Sequence, residues 1–320
     1  MEVTIMNNSI HPILILLASL GYCYTLVTKI PQATLKLISL LPVFYFFSIL
    51  PWYFSSSFLR GIISFFITWI ASFKLLLFCF NRGPLVTHTN YIDFIVLAIF
   101  PVRMKVKSSP LKASMDKKSL LKLLGALVPL LVTFFMHKDK NSQLLVILHG
   151  VSIFYGFYVI FTNDPAMARY ELMQIFNKPY LAISLKEFWG RRWNRYSSYI
   201  LRLTIYEPTQ NSLKGVIGIG QAKVVALIST LVVSGVMHEM LFYYITCGRR
   251  PTWEVTWFFL LHGLCMIFEA GSMHFFRVMG WTLVHPAVSV SSTLGFVLVT
   301  FYWLLALPVW RNGQNICELR

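Results

Sequence analysis

The 320-residue chain is 57% hydrophobic, 16% aromatic and 12% charged, where soluble proteins run to roughly 45–50% apolar and about 25% charged. A mean hydropathy of +0.65 excludes intrinsic disorder. Five cysteines scattered through apolar runs exclude a disulfide scaffold, and no C-x-x-C or His/Cys cluster has zinc spacing, so no metal is expected. The net charge of +16 would suggest nucleic acid in a soluble protein. Here the basic residues fall between apolar runs, where membrane topology places them, and no nucleic-acid partner is expected.

A helix needs about 20 apolar residues to cross the hydrocarbon core. Runs of that kind occupy 12–28, 37–54, 58–80, 120–136, 144–161, 222–246, 253–276 and 284–310. The sequence thus predicts an all-α polytopic membrane protein of about eight transmembrane helices, organised as one domain over 1–320. The stretch 91–102 is too short to cross and reads as re-entrant or interfacial. The first run is not expected to be a cleavable signal, because Glu2 precedes it, no basic residue does, and no A-x-A site follows. The sequon Asn7-Asn8-Ser9 lies too near that run for a glycan to be expected.

Orientation follows from Lys and Arg in alternate loops. One side collects 20 of them, from Lys29, Lys36, the 82–122 and 169–223 regions and Arg277; the other collects 7. The long loops 81–119 and 162–221 should therefore face the cytosol, with both termini across the membrane. The Lys-rich, Ser/Pro-punctuated stretch 103–118 reads as a flexible cytosolic loop. No internal repeat of the transporter kind is present.

The segment 180–206 does not span. Ser184 with Glu187 forms an S-x-x-E capping box, so a helix should begin there. Phe188, Trp189, Trp193, Tyr196, Ile200 and Leu203 then share one broad face, with Glu187, Arg191, Arg195 and Arg202 opposite and Glu187 four before Arg191. This is the pattern of an amphipathic helix lying in the membrane interface, either a plain anchor or a functional element. Asn194 borders the aromatic face, where an unpartnered amide is costly.

Ionisable residues inside spans are functional candidates. The run 222–246 carries Thr230, Ser234 and His238 at successive i+4 positions, and His238 lies about 24 Å along the helix from its cytosolic end. His238 reads two ways: a core histidine bonded to a neighbouring helix, or a general base, since imidazole titrates near pH 6.5 and accepts a proton when neutral. Glu239 follows it, but adjacent helical residues point about 100° apart and are not automatic partners. His262, Met266 and Glu269 share a face of the next run, while His274 and His285 lack polar company at helical spacing. A transporter remains the rival reading, with His238, His262 and Glu269 as a proton or substrate path. His88 and Asp93 make an H-x-x-x-x-D spacing used by glycerolipid acyltransferases of another fold, but no Gly-rich phosphate-binding element follows. G-x-S-x-G is absent.

Residues 184–194 (SLKEFWGRRWN), 234–243 (SGVMHEMLFY) and 251–263 (PTWEVTWFFLLHG) together resemble the plant wax synthase family of the membrane-bound O-acyltransferase superfamily. Asn81-Arg-Gly-Pro-Leu and Arg311-Asn-Gly also fit, and Glu187-Phe188 stands where several relatives have Asp-Phe. The resemblance implies transfer of an acyl group from acyl-CoA, a co-substrate and not a bound cofactor, to the hydroxyl of a long-chain alcohol. Sterols and diacylglycerol are the alternative acceptors. It also implies a multi-pass location in the endoplasmic reticulum. The superfamily's membrane histidine falls on His238 and its motif asparagine on Asn194, as catalytic residues. Trp193, Trp189 and Glu239 are the expected substrate-binding neighbours, and Arg191, Arg192 and Arg195 are expected beside the CoA phosphates. One tension follows: His238 lies deep in a span, and Asn194 lies in a loop counted as cytosolic.

Overall fold

The computed structural model describes residues 10–54, 56–87, 90–104, 170–280, 285–308 and 311. Within them, six helical stretches are long and apolar enough to cross a membrane: Pro12–Lys29, Ala33–Tyr53, Ser57–Cys79, Ile219–Ile245, Glu254–Val278 and Pro286–Ala306. They correspond to six of the eight expected spans; the expected spans 120–136 and 144–161 lie outside the described residues.

The first two spans are α1 (Ile10–Thr25) and α2 (Ala33–Ile49), the latter followed by a 3₁₀ turn over Leu50–Tyr53. The third is built from α3 (Ser57–Ile63) and α4 (Ser72–Cys79), joined without a break by a π-helical stretch, Ser64–Ala71. Helix α5 (Tyr91–Ile99) follows, and its 9 residues rise only about 14 Å, too little to cross. Further on come the short helices α6 (Leu185–Glu187), α7 (Arg195–Leu201) and α8 (Glu207–Ile217). The long helices α9 (Ile219–Ile245), α10 (Glu254–Val278) and α11 (Pro286–Phe301) complete the order. Gly218, at φ 82°, joins α8 to α9 in a backbone conformation that a side chain would strain.

The chain divides into two compact units, residues 1–99 with 174–320, and residues 100–173. In the second, β1 (Val102–Met104) pairs antiparallel with β2 (Tyr170–Leu172), and Arg103 meets Glu171 at 2.9 Å across the ladder. These three-residue strands were not expected from the sequence.

Buried cations in the first unit modify the charge count. Lys36 lies inside α2, not in a loop; its Nζ donates to Asn81 Oδ1 at 3.0 Å and sits over the Phe78 ring. Arg60, from the opposite side of the count, is buried in α3, where its Nε donates to the Phe54 carbonyl. Removing one residue from each side leaves the asymmetry intact. Lys74 is fully buried, and its Nζ donates to the carbonyls of Leu97 and Ala98 at 2.7 and 3.1 Å. Those carbonyls end α5, where a helix leaves acceptors unpaired and favours a cation. The same ammonium lies 5.1 Å over the ring of Tyr196, tying α7 to the third span.

Candidate active site

His238 sits in α9 with its Nδ1 2.7 Å from the Ser234 carbonyl, one turn back. A carbonyl oxygen only accepts, so Nδ1 carries the hydrogen and Nε2 presents its lone pair. Nε2 has no hydrogen-bond partner among the described residues. The partly buried ring is flanked by Trp69, edge-on at 5.3 Å, and by Phe259 at 4.6 Å. An imidazole held in that tautomer, with an open Nε2 and apolar walls, is equipped to take a proton from a lipid hydroxyl. The polar stripe is present, but Thr230 spends its hydroxyl on the Ala226 carbonyl.

Glu239 points elsewhere, as adjacent helical residues must. It is 4% exposed, and its Oε1 accepts from the backbone N–H groups of Val255 and Thr256, each at 3.2 Å. This carboxylate caps α10, where the helix end carries partial positive charge. The expected role of Glu239 in substrate binding finds its side chain already committed to that cap.

The helix expected over 184–206 begins where the capping box put it but is not continuous. Ser184 Oγ accepts from Glu187 N–H at 3.0 Å, while the Glu187 carboxylate reaches back to Ile183 N–H at 2.9 Å. Residues Phe188–Arg192 then form a π-turn, closed by Trp193 N–H donating to the Phe188 carbonyl at 2.8 Å. A π-turn carries more residues per turn, so the fifth residue on, not the fourth, stands over the first. Glu187 accordingly pairs with Arg192 at 2.8 Å instead of the expected Arg191. Burial works to raise the Glu187 carboxyl, but the Ile183 N–H and the Arg192 guanidinium outweigh it and hold the group below its ordinary value.

The helix stops at Trp193, and Asn194 takes a left-handed conformation at φ 39°. Asparagine tolerates that region, and its Oδ1 restarts the chain as α7 by accepting from Ser197 N–H at 3.3 Å. Its amide nitrogen remains as a donor. Of the three arginines expected near phosphate, Arg192 also donates to the carbonyls of Asn177 and Lys178 and is locked inside the segment. Arg195 donates to Gln174 Oε1 on the exposed side. Arg191 is exposed and makes no hydrogen bond or ion pair among the described residues.

The segment also packs into the span helices. Ala182, Leu185 and Phe188 share a buried apolar cluster with Leu231, Phe258 and Phe259, and Glu269 Oε1 accepts from Leu185 N–H. Trp189 lies 5.5 Å from Phe259, the ring that packs on His238, and 5.5 Å from His262. Trp193 stacks on Phe188 at 5.6 Å and 12°. Two ring contacts therefore join Trp189 of this segment to His238, by way of Phe259. Trp193 itself is 38% exposed.

Three residues at this site escaped the sequence reading. Trp69 comes from the π-helical part of the third span, which no periodicity announces. Phe259 sits within a motif that carries the family resemblance, but nothing in its spacing marks its place beside His238. Thr300 bonds His262 from α11. Of the H-x-x-x-x-D pair, His88 lies outside the described residues, and Asp93 is buried in α5.

Comparison with known proteins shows the family. Residues 172–261, which hold both the 184–194 segment and His238, match the Membrane bound O-acyl transferase family. Acyl-CoA–sterol O-acyltransferase 1 of Arabidopsis thaliana is 36% identical, covering 95% of this chain and 90% of its own length. Probable long-chain-alcohol O-fatty-acyltransferase 3 of the same plant is 35% identical over 92% and 87%. Long-chain-alcohol O-fatty-acyltransferase of Simmondsia chinensis is 33% identical over 94% and 89%. The chain belongs to the membrane-bound O-acyltransferases, as a multi-pass acyltransferase of the wax synthase type.

Proposed function

We propose that the protein transfers a fatty acyl group from acyl-CoA to the hydroxyl of a long-chain alcohol, forming a wax ester. The observation that carries this reading is the open Nε2 of His238, held in one tautomer and linked through Phe259 and Trp189 to the segment bearing Asn194. His238 Nε2 removes the hydroxyl proton as the alcohol oxygen attacks the thioester carbonyl. The C–O bond forms, the C–S bond breaks, and the imidazolium returns the proton to the departing thiolate, so that free CoA leaves. Asn194 donates its amide N–H to the carbonyl oxygen as negative charge builds there; losing such a donor costs about 2.7–4 kcal/mol of transition-state stabilisation. No Ser or Cys with an adjacent base is needed for this direct transfer.

Trp189 and Trp193 line the acyl or alcohol chain. Arg191 and Arg195, on the exposed side of the segment, meet the CoA phosphates; Arg192 holds the segment's shape through Glu187. The long basic loops face the cytosol, where acyl-CoA is available, and the endoplasmic reticulum is the proposed membrane. A sterol acceptor is the second reading, favoured by the 36% identity to a relative named for sterol acylation.

Microsomes from a host without this activity separate these readings when labelled acyl-CoA is supplied with hexadecanol, a sterol and diacylglycerol together. A labelled wax ester as the main product is the expected outcome. Sterol ester in its place would shift the acceptor, and label that only redistributes between compartments would make the protein a carrier.

A further inference from the structure

Among the buried polar atoms left without a hydrogen-bond partner among the described residues, two lie on neighbouring rings: Nδ1 of His262 and Nε1 of Trp189. The role each can play is fixed by its surroundings. His262 Nε2 lies 3.1 Å from Thr300 Oγ1, and that hydroxyl already donates to the Phe296 carbonyl at 2.7 Å. Thr300 therefore accepts from His262, the ring hydrogen sits on Nε2, and Nδ1 is left as a bare acceptor. The indole N–H of Trp189 only donates. The two rings lie 5.5 Å apart, His262 is 0% exposed, and Phe258 and Phe296 close on the imidazole at 4.2 and 5.1 Å.

An acceptor and a donor left unpaired on neighbouring rings among aromatic side chains are unfavourable until something satisfies both. Among the groups that O-acyl transfer brings to this site, the thioester and ester carbonyls accept only. The acceptor's hydroxyl both donates and accepts, and so matches the pair.

We propose that His262 Nδ1 and Trp189 Nε1 form the docking point for the acceptor lipid's hydroxyl, which donates to the first and accepts from the second before advancing to His238. This rests on the acyl-transfer reading above and adds where the alcohol is first held. Phe259 packs on both Trp189 and His238, so one ring separates the docking point from the base. His262 is thus a positioning residue, and Thr300 positions it by setting its tautomer.

Trp189→Phe keeps an aromatic ring and removes the N–H, while His262→Leu removes the lone pair. Steady-state rates of purified protein are measured against hexadecanol at saturating acyl-CoA, and against acyl-CoA at saturating hexadecanol. Each variant should raise KM for hexadecanol about tenfold, the factor that one hydrogen bond of about 1.4 kcal/mol contributes. KM for acyl-CoA should stay unchanged and kcat should move by less than about threefold, as expected when binding energy common to ground and transition states is removed. The double variant should be little worse than the poorer single one, because one hydroxyl bridges both atoms.

An unchanged hexadecanol KM in Trp189→Phe overturns the proposal, and that variant carries the test if His262→Leu fails to fold. A kcat loss of about a hundredfold at constant KM in His262→Leu also overturns it, since that is the mark of a base. Equal rises in both KM values with a lowered melting temperature would assign the pair to packing. None of these results decides whether the protein transfers acyl groups, which the product formed tests separately.

Discussion

Replacing His238 with alanine should lower ester formation by about 10²–10⁴-fold, the range that a positioned general base contributes. The fold should survive the change. The imidazole's hydrogen bond stays within its own helix, to Ser234, so removal leaves no partner stranded on another element. What remains are ring contacts to Trp69 and Phe259, at a position that is only partly buried. His238→Gln keeps much of the volume without a basic nitrogen and should be almost as inactive. The check is initial rate with labelled acyl-CoA in purified protein, beside a melting temperature in the same detergent. Near-normal turnover in His238→Ala would remove this residue as the base.

Gly235→Ala should destabilise the protein and cost activity, although alanine is the better helix former. A Cβ at Gly235 would lie 2.7 Å from the Cα of Thr256, a backbone atom of α10 that cannot swing aside. Helices α9 and α10 cross at that point, one turn before His238, and the methyl would force them apart. The gain in helix propensity is about 0.8–1.0 kcal/mol, whereas overpacking a rigid contact costs about 1–3 kcal/mol, so the net sign is unfavourable. Displacement of the crossing also moves His238 against Phe259, and an error of about 1 Å in such a placement is worth about a hundredfold in rate. Gly263→Ala is the control. Its Cβ would meet side-chain ends, Leu231 Cδ1 at 2.7 Å and Ile228 Cδ1 at 3.0 Å, which rotate away. Melting temperature and specific activity should fall for Gly235→Ala and change little for Gly263→Ala; equal behaviour of the two would refute the close crossing.

The spans were readable because hydropathy over about 20 residues needs no partner to be recognised. Ser184 was readable for a similar reason, since a cap acts within four residues. What lay beyond the sequence was mostly non-local. Glu239 binds N–H groups 16 and 17 residues away, and its own helix does not announce which end it will meet. The break at Asn194 was invisible because the apolar face of 188–203 has the same spacing whether or not the chain pauses in a left-handed turn. The π-turn over Phe188–Arg192 redirected Glu187 from Arg191 to Arg192, and residue identity alone does not mark such turns. His262 shows the same limit. Its spacing to Met266 and Glu269 is plain in the sequence, but its orphaned Nδ1 appears only once Thr300 from α11 claims the other nitrogen.

The most direct measurement is a structure with a non-cleavable acyl-CoA, the 2-oxoalkyl thioether, whose ketone stands for the thioester carbonyl. That carbon should lie within about 6 Å of His238 Nε2, leaving room for one hydroxyl at hydrogen-bond distance, with its oxygen turned toward Asn194. A ketone more than about 10 Å from Nε2, beyond the reach of one intervening water, would contradict His238 as the residue that activates the alcohol.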